Sequence, residues 1–300
     1  MQNVAVSLGD FNGVGPEIAL KTHNKIKQFV KPVYIANKKM IKKAAKLLNY
    51  EIPNDFEIIE IEGEFEIKPG IIDKKAGDFS FRSFKKAIEL AKEKKVDAIT
   101  TLPINKESWA KAGVKYKGHT EVLRDVFKKD AIMMLGCPKM YVALFTEHIP
   151  LKEVFKKVKK ENLLRFLIDF YNSTGFENIK VLALNPHAGD GGILGDEEIK
   201  EILPAIKKVN EILKKKIFYG PIVPDIAFVK KEGVFIAMYH DQGLAPLKAL
   251  YFDESINVSL NLPILRTSVD HGTAFDIAYK GIAKTKSYEN AIKYILNHKN

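Results

Sequence analysis

The sequence predicts an α/β protein built on a parallel sheet with helices covering both faces. Three observations predict it. Short apolar runs alternate with helical stretches along the whole chain, and crossovers of this length join parallel strands. Apolar residues make up 46% of the chain, enough to fill a core and exclude disorder. Several strands end in glycine- or proline-punctuated polar loops that open helices, the position at which open α/β sheets carry chemistry.

Three hundred residues suit one large or two medium domains. No repeat, low-complexity segment or linker-like stretch divides them. No apolar run approaches the roughly 18 residues of a membrane span. The N-terminus, MQNVAVSLGD, lacks the charged and long apolar regions of a signal peptide, so a cytoplasmic protein without a membrane partner is expected. A single cysteine, Cys137, excludes an intrachain disulfide framework and a multi-cysteine metal site. The net charge of +11 raises nucleic acid as a partner. Its make-up argues against that partner. The arginines are Arg82, Arg124, Arg165 and Arg266 alone, and lysines crowd helical stretches such as 38–46 and 152–160. Those are solvated helix faces without the aromatic interleaving of a base-stacking platform. An anionic small substrate suits the positive field better.

In chain order, residues 3–8 (NVAVSL) form a buried strand, and Pro16 and Glu17 open a helix. The loop between them spaces its glycines G-x-x-x-G-x-G, which is neither the dinucleotide fingerprint nor the Walker loop. It is either a tight strand–helix turn or a backbone that approaches a ligand, with Asp10 at its centre. Residues 32–36, 56–61 and 98–102 are strands, and helices fill 38–48 and 79–95. Trp109 follows as a packing residue, and Lys106 faces either solvent or an anion. Residues 118–121 (GHTE) open a helix. Thr120 either caps it or joins the His119 ring in holding an anion at its N-terminus.

Residues 131–135 and 140–145 are strands, the second delivering His148 ahead of a helix at 152–170. The strand at 180–184 ends in NPHAGDGGILG, residues 185–195. Its glycines let a backbone pass close to a ligand, which makes Asn185, Gly189 and Gly192 candidate ligand contacts. A helix follows over 196–214, with Pro204 as a kink. Residues 220–225 form a loop with a lone acid, Asp225. The buried strand 233–237 (GVFIA) runs into MYHDQGLAPLK, which presents His240, Asp241, Gln242 and a helix carrying Lys248. The structural alternative at this junction is an N-cap by Asp241. A strand at 257–262 gives way to a loop, 263–272, carrying Arg266, Asp270 and His271; helices from Thr273 and near 288–296 close the chain.

Of the seven histidines, His23 and His298 lie on helical stretches as surface residues. His148, His187 and His240 each follow a buried strand. Parallel strands share one C-terminal edge, so the three can converge there. Three neutral imidazoles that leave positions open suit a catalytic zinc or similar divalent ion, which would lower the pKa of a substrate hydroxyl. Lys248, Asn257 and Arg266 recur at nine-residue intervals. The lysine supplies a point charge and the arginine a bidentate fork for phosphate or carboxylate.

The segments GDFNGVGPE, GHTE, HIPL, LNPHAGDGG, MYHDQGLAPLK and NLPILRTSVDHGTA, in that order, resemble the 4-hydroxythreonine-4-phosphate dehydrogenase family of vitamin B6 biosynthesis. The resemblance runs from the first strand to Ala274. It implies a two-domain α/β/α fold like that of isocitrate and isopropylmalate dehydrogenases, which explains a nicotinamide enzyme without the dinucleotide fingerprint. Residues 1–115 with 272–300 are expected to form one domain. Residues 116–271 form the other, carrying most metal and substrate residues. The implied reaction oxidises the 3-hydroxyl of 4-phosphooxy-L-threonine with NAD or NADP. The β-keto acid then loses carbon dioxide to give 3-amino-2-oxopropyl phosphate, on the route to pyridoxal 5′-phosphate.

By the same resemblance, His148, His187 and His240 hold a divalent metal, zinc, magnesium or cobalt. Residues from both subunits build each site, so a homodimer with its active site at the subunit interface is implied. Substrate contacts fall on His119, Thr120, Lys248, Asn257 and Arg266, and the dinucleotide is expected at Asn185, Gly189 and Gly192. The catalytic base stays open between Lys248, Asp225 and a metal-bound water. Phe11 and Asn12 stand where Pro-Ala is common in the family, Asp190 where Glu is, and Asn261 where Gly is. These departures bear on cofactor preference and loop geometry. A sister dehydrogenase acting on another phosphorylated four-carbon hydroxy acid is the alternative. A phosphate acyltransferase shares a distant architecture but needs no histidine triad, and a nucleic-acid binder rests on charge alone.

Overall fold

Strands and helices alternate through residues Met1–His298, the part of the chain that the computed structural model describes. In order they are β1 (Asn3–Ser7), α1 (Gly15–Ile26), β2 (Lys31–Ala36), α2 (Lys38–Leu48), β3 (Ile58–Glu60), α3 (Lys74–Lys92), β4 (Ala98–Thr101), α4 (Lys106–Lys111) and α5 (His119–Phe127). Then come β5 (Ile132–Cys137), β6 (Met140–Leu144), α6 (Leu151–Lys157), α7 (Lys160–Thr174), β7 (Ile179–Leu182), α8 (Leu203–Leu213), β8 (Phe218–Ile222), α9 (Pro224–Ala227), β9 (Gly233–Ala237) and α10 (His240–Tyr251). The chain closes with β10 (Ile256–Leu260), β11 (Leu265–Val269) and α11 (Lys286–Asn297). Two units form. The first holds Met1–Lys129, Ile256–Val258 and the chain from Leu262 onward; the second holds Asp130–Ser255 and Ser259–Asn261. The division falls after α5 rather than near residue 115, because Val122 and Leu123 of α5 are buried in the first unit's core with Phe84, Ile88 and Trp109.

In the first unit the strands run in the order β3-β2-β1-β4-β11 and every pairing is parallel, as expected. β11 corrects the expectation of a loop over 263–272: Arg266 pairs with Ile99 inside the sheet. Pro263 and the polar residues of LRTSV hid that strand. The expected helix from Thr273 is only a short 3₁₀ turn at Phe275–Ile277. His23 is not a surface residue. It is 1% exposed, with Nδ1 2.9 Å from the Tyr34 hydroxyl and Nε2 3.2 Å from Asp55.

The first loop is held from three sides. Gly9 has φ +72°, and a Cβ there would lie 2.1 Å from the Pro103 carbonyl oxygen, so no other residue fits. Asn12 donates from Nδ2 to the Ile71 carbonyl at 2.8 Å and accepts from the Lys68 N–H at 2.9 Å. The Phe11 ring meets Phe79 edge-on at 5.2 Å. Of the residues that depart from the family pattern, Asn12 therefore ties this loop to the segment around 68–71 and Phe11 packs it against α3. Asp10 accepts from the Asn12 N–H at 2.9 Å. Burial outweighs that bond and pushes the Asp10 carboxyl up to about 6.

In the second unit the order is β5-β6-β9-β7-β8. β5 and β6 are antiparallel, against the expectation of an all-parallel sheet. Only Pro138 and Lys139 separate them, and a connection that short can join only antiparallel neighbours. The remaining pairings are parallel. β8 takes the place of the loop expected at 220–225; Gly220 and Pro221 masked it, and Pro is tolerated on an edge strand. The single helix expected over 152–170 is two, α6 and α7. Glu201 makes the break, accepting the Lys160 N–H at 2.7 Å and pairing with Lys159 at 3.0 Å. Helix 196–214 begins with a π turn, Glu198–Ile202, before α8. The wider turn sits just ahead of Pro204, which has no N–H to continue the α ladder.

Because its pKa is raised on folding, Asp10 stabilises the fold least when ionised. Its penalty is absent below the unfolded value of 3.8 and grows as pH rises through about 6. Asp10→Asn is therefore expected to raise stability by about 2–3 kcal/mol at pH 8 and by only about 0.5 kcal/mol at pH 4. Urea denaturation at the two pH values checks this; an equal effect at both would contradict it.

Candidate functional site

Parallel pairing of β6, β9 and β7 puts their C-terminal ends on one edge of the second unit. The ends are then stitched together beyond the strands. Thr146 donates from its backbone N–H and its hydroxyl to the Met238 carbonyl, at 3.2 and 2.6 Å. Gln242 accepts the Met238 N–H at 2.8 Å and donates to the Ala183 carbonyl at 2.7 Å. Gly243 lets α10 settle on the sheet: a Cβ there would lie 2.4 Å from Val142 Cγ1. The helix starts at His240 with Tyr239 in the cap position, so Asp241 is not the N-cap. It instead holds His240, whose Nδ1 is 2.6 Å from the Asp241 carboxylate.

This edge brings two of the three expected histidines together. The ring centres of His148 and His240 are 5.3 Å apart. Two imidazoles on one ion, at metal–nitrogen distances of about 2.0–2.1 Å and near-tetrahedral angles, have centres roughly 5 Å apart. A carboxylate on Nδ1 leaves Nε2 free to ligate. The pair thus fits a divalent ion. Within one chain, no group of three or more His, Cys, Asp or Glu side chains among the described residues forms a metal cluster.

His187 lies at the end of β7 on an unusual turn. His187, Ala188, Gly189, Asp190 and Gly191 all adopt left-handed backbone, with φ of 53°, 54°, 79°, 45° and 67°. Each of the three non-glycine residues costs about 1–2 kcal/mol in that region, so the surroundings must enforce the turn. Glu198 does much of this. It is 3% exposed, and its Oε1 accepts the N–H groups of Leu184 and Asn185, both at 2.7 Å. Asn185 spends its side-chain amide on Glu197 and Glu198, at 2.7 and 2.9 Å. Gly189 is buried against Glu198, while Gly192 is exposed with φ +101°.

Among the other expected residues of this unit, Lys248 sits on α10 with Nζ 5.3 Å from the Phe252 ring centre. Asp225 is exposed in the first turn of α9.

The first unit gathers its own polar group. Arg266 is 3% exposed and donates from Nε and Nη2 to the Thr101 hydroxyl, at 3.1 and 2.5 Å. Burial lowers its pKa to about 9. His119 opens α5, its ring edge-on to Phe84 at 4.5 Å and Trp109 at 5.5 Å. Burial, with Arg266 second, holds its pKa well below the usual histidine value, so the ring is neutral. His119 Nε2 and Asn257 Oδ1 are buried with no hydrogen-bond partner, a costly state that a polar ligand relieves. Gly118 takes the N-cap position of α5, so Thr120, beside His119, is not the cap. Lys106 is exposed at the start of α4.

Sequence reasoning missed three residues that build this arrangement. Thr101, Thr146 and Glu198 carry no motif signal of their own. Glu198 reads as an ordinary first-turn acid until the fold turns it inward.

The family model described as pyridoxal phosphate biosynthetic protein PdxA matches residues 28–295. The chain is 57% identical over 300 residues to the 4-hydroxythreonine-4-phosphate dehydrogenase of Campylobacter fetus, covering 99% of this chain and 98% of the relative. It is 60% identical over 294 residues to that of Sulfurimonas denitrificans, covering 97% and 95%. A crystal structure of a 4-hydroxythreonine-4-phosphate dehydrogenase from Burkholderia phymatum superposes with a TM-score of 0.82 at 30% identity, over 100% of this chain and 99% of that one. An isocitrate dehydrogenase from Methylococcus capsulatus shares the fold, with a TM-score of 0.51 at 14% identity over 99% of this chain and 85% of that one. The chain belongs to the pyridoxal phosphate biosynthetic protein PdxA family.

Proposed function

We propose that this chain is an NAD- or NADP-dependent dehydrogenase that oxidises the 3-hydroxyl of 4-phosphooxy-L-threonine with the help of a divalent metal. Hydride passes from C3 to the nicotinamide and the hydroxyl proton is released. The resulting β-keto acid loses carbon dioxide and takes up a proton to give 3-amino-2-oxopropyl phosphate, a step in making pyridoxal 5′-phosphate. The observation that carries the metal-dependent reading is the His148–His240 pair, 5.3 Å between ring centres, with Asp241 on His240 Nδ1.

His148, His187 and His240 are the proposed metal ligands. A bound divalent ion would lower the pKa of the substrate hydroxyl. Arg266 and Lys248 supply positive charge for the phosphate and carboxylate groups. A neutral His119 can donate to or accept from an uncharged substrate group, and Asn257 and Thr120 add polar contacts. The base is left open between Lys248, Asp225 and a metal-bound water. The backbone around Gly189 and Gly192 is the proposed nicotinamide-dinucleotide contact; the Asn185 amide is already engaged. The departures at Phe11 and Asn12 leave all these residues in place.

A second copy of the chain is proposed to complete the metal site. Ile193 and Leu194 beside the His187 turn are 81% and 48% exposed, and Leu151 and Phe155 near His148 are 68% and 50% exposed. Apolar surface of this kind marks an interface.

Two outcomes are expected. Purified protein reduces NAD or NADP with 4-phosphooxy-L-threonine; chelation abolishes turnover, and zinc, magnesium or cobalt restores it, but not in His240→Ala. Turnover that survives complete metal removal would contradict the metal reading. Turnover only with another phosphorylated four-carbon hydroxy acid would move the substrate to the sister reaction. Sedimentation velocity is expected to give a dimer. A monomer at micromolar concentration would remove the shared-site reading.

A further inference from the structure

We propose that Glu198 is a positioning residue that fixes the left-handed turn presenting His187 to the metal. The inference rests on the reading of His187 as a ligand. It adds a residue that contacts no substrate, cofactor or ion.

The His187 side chain is exposed, so the aim of its ring depends on the backbone beneath it. That backbone is a run of five left-handed residues, which L-residues leave readily when unsupported. The support converges on one carboxylate. Glu198 Oε1 takes the N–H groups of Leu184 and Asn185 at 2.7 Å each, just where β7 ends. Glu198 Oε2 takes the Asn185 side-chain amide at 2.9 Å. The same oxygen lies 2.8 Å from the place where a Cβ on Gly189 would be, and the Gly195 carbonyl lies 2.6 Å from it. The turn's centre is therefore packed directly on the carboxylate. Gly195 in turn seats against Asn185, since a Cβ there would lie 2.4 Å from Asn185 Nδ2. The Leu194 N–H closes the loop on the Gly189 carbonyl at 3.0 Å.

Glu198 is aimed inward by the π turn that it begins. The Leu203 N–H reaches back five residues to the Glu198 carbonyl, and such insertions recur at functional sites. A carboxylate is required because every group around it is a donor. Glutamine would keep one acceptor oxygen but set its NH₂ against the Asn185 amide, donor to donor.

The test is cobalt binding to the full-length protein, without substrate or nucleotide, followed by visible absorption and calorimetry. Wild type, Glu198→Gln and His187→Ala are compared. Glu198→Gln is expected to weaken cobalt binding about 10–100-fold, the usual size for an outer-shell partner of a ligand. The metal concentration for half-maximal turnover should rise in step, with kcat at saturating metal essentially unchanged. A merely structural loss would lower thermal stability and kcat without that split. Wild-type cobalt affinity in Glu198→Gln overturns the proposal. Wild-type affinity in His187→Ala instead overturns the ligand reading. Amide exchange then judges the clamp alone: Leu184 and Asn185 should be protected in wild type and lose protection in Glu198→Gln. If Glu198→Gln does not fold, Gly195→Ala, which pushes Asn185 off the carboxylate, should weaken cobalt binding in the same direction. Rapid exchange at Leu184 and Asn185 in wild type contradicts the clamp outright.

Discussion

Parallel hydrogen bonding between β6, β9 and β7 is the constraint on which the polar edge of the second unit depends. Main-chain pairing sets Val142 against Phe235 and Phe235 against Lys180, so all three strands finish level. Everything functional on this edge follows from that level finish. Thr146 and Gln242 can bridge the ends only because the ends are adjacent. His148 and His240 approach because they follow strands that are direct neighbours. His187 follows the next strand over, and there the chain resorts to strained backbone and a buried glutamate to set its position.

The first unit solves a different problem, the placement of a permanent charge inside a protein. Arg266 lies within β11, and its guanidinium donates to the Thr101 hydroxyl among its contacts. Burial of a guanidinium is costly unless its donors are met. The neutral His119 ring and the unpartnered Asn257 oxygen add groups that a polar anionic ligand would satisfy. These groups would suit a ligand of negative charge, whereas the lysines behind the net charge of +11 lie largely on helices, and several pair with nearby carboxylates. Lys39 and Lys43 share Glu64, and Lys159 meets Glu201. Such surface pairs are weak, screened contacts.

Much of this was legible in the sequence because local pattern and tertiary role coincide. GVFIA is a strand at its expected bounds, Lys38–Leu48 a helix at its own, and the loops after β6, β7 and β9 carry the expected histidines. What was not legible depends on partners distant in sequence. β8 contains Gly-Pro, which reads as a turn unless the strand is known to be an edge. β11 is polar and begins just after a proline, which reads as a loop unless its place between neighbouring strands is known. His23 looks like a helix-surface residue until Tyr34 and Asp55, 11 and 32 residues away, enclose it. Glu198 gives no sign of its inward turn because the π insertion ahead of Pro204 rotates it there. The family resemblance supplied the reaction, while the fold supplied the reasons for its spacing. Phe11 and Asn12 show the difference: as departures from a pattern they are unexplained, and as ties to Phe79, Lys68 and Ile71 they are structural.

The measurement that tests the central claim most directly is anomalous diffraction at the cobalt edge from crystals grown with cobalt. One peak is predicted within about 2.0–2.2 Å of imidazole nitrogens from His148, His240 and His187, the third from this chain or from its dimer mate. A cobalt peak elsewhere, or none in a crystal whose enzyme turns over, would contradict the three-histidine account.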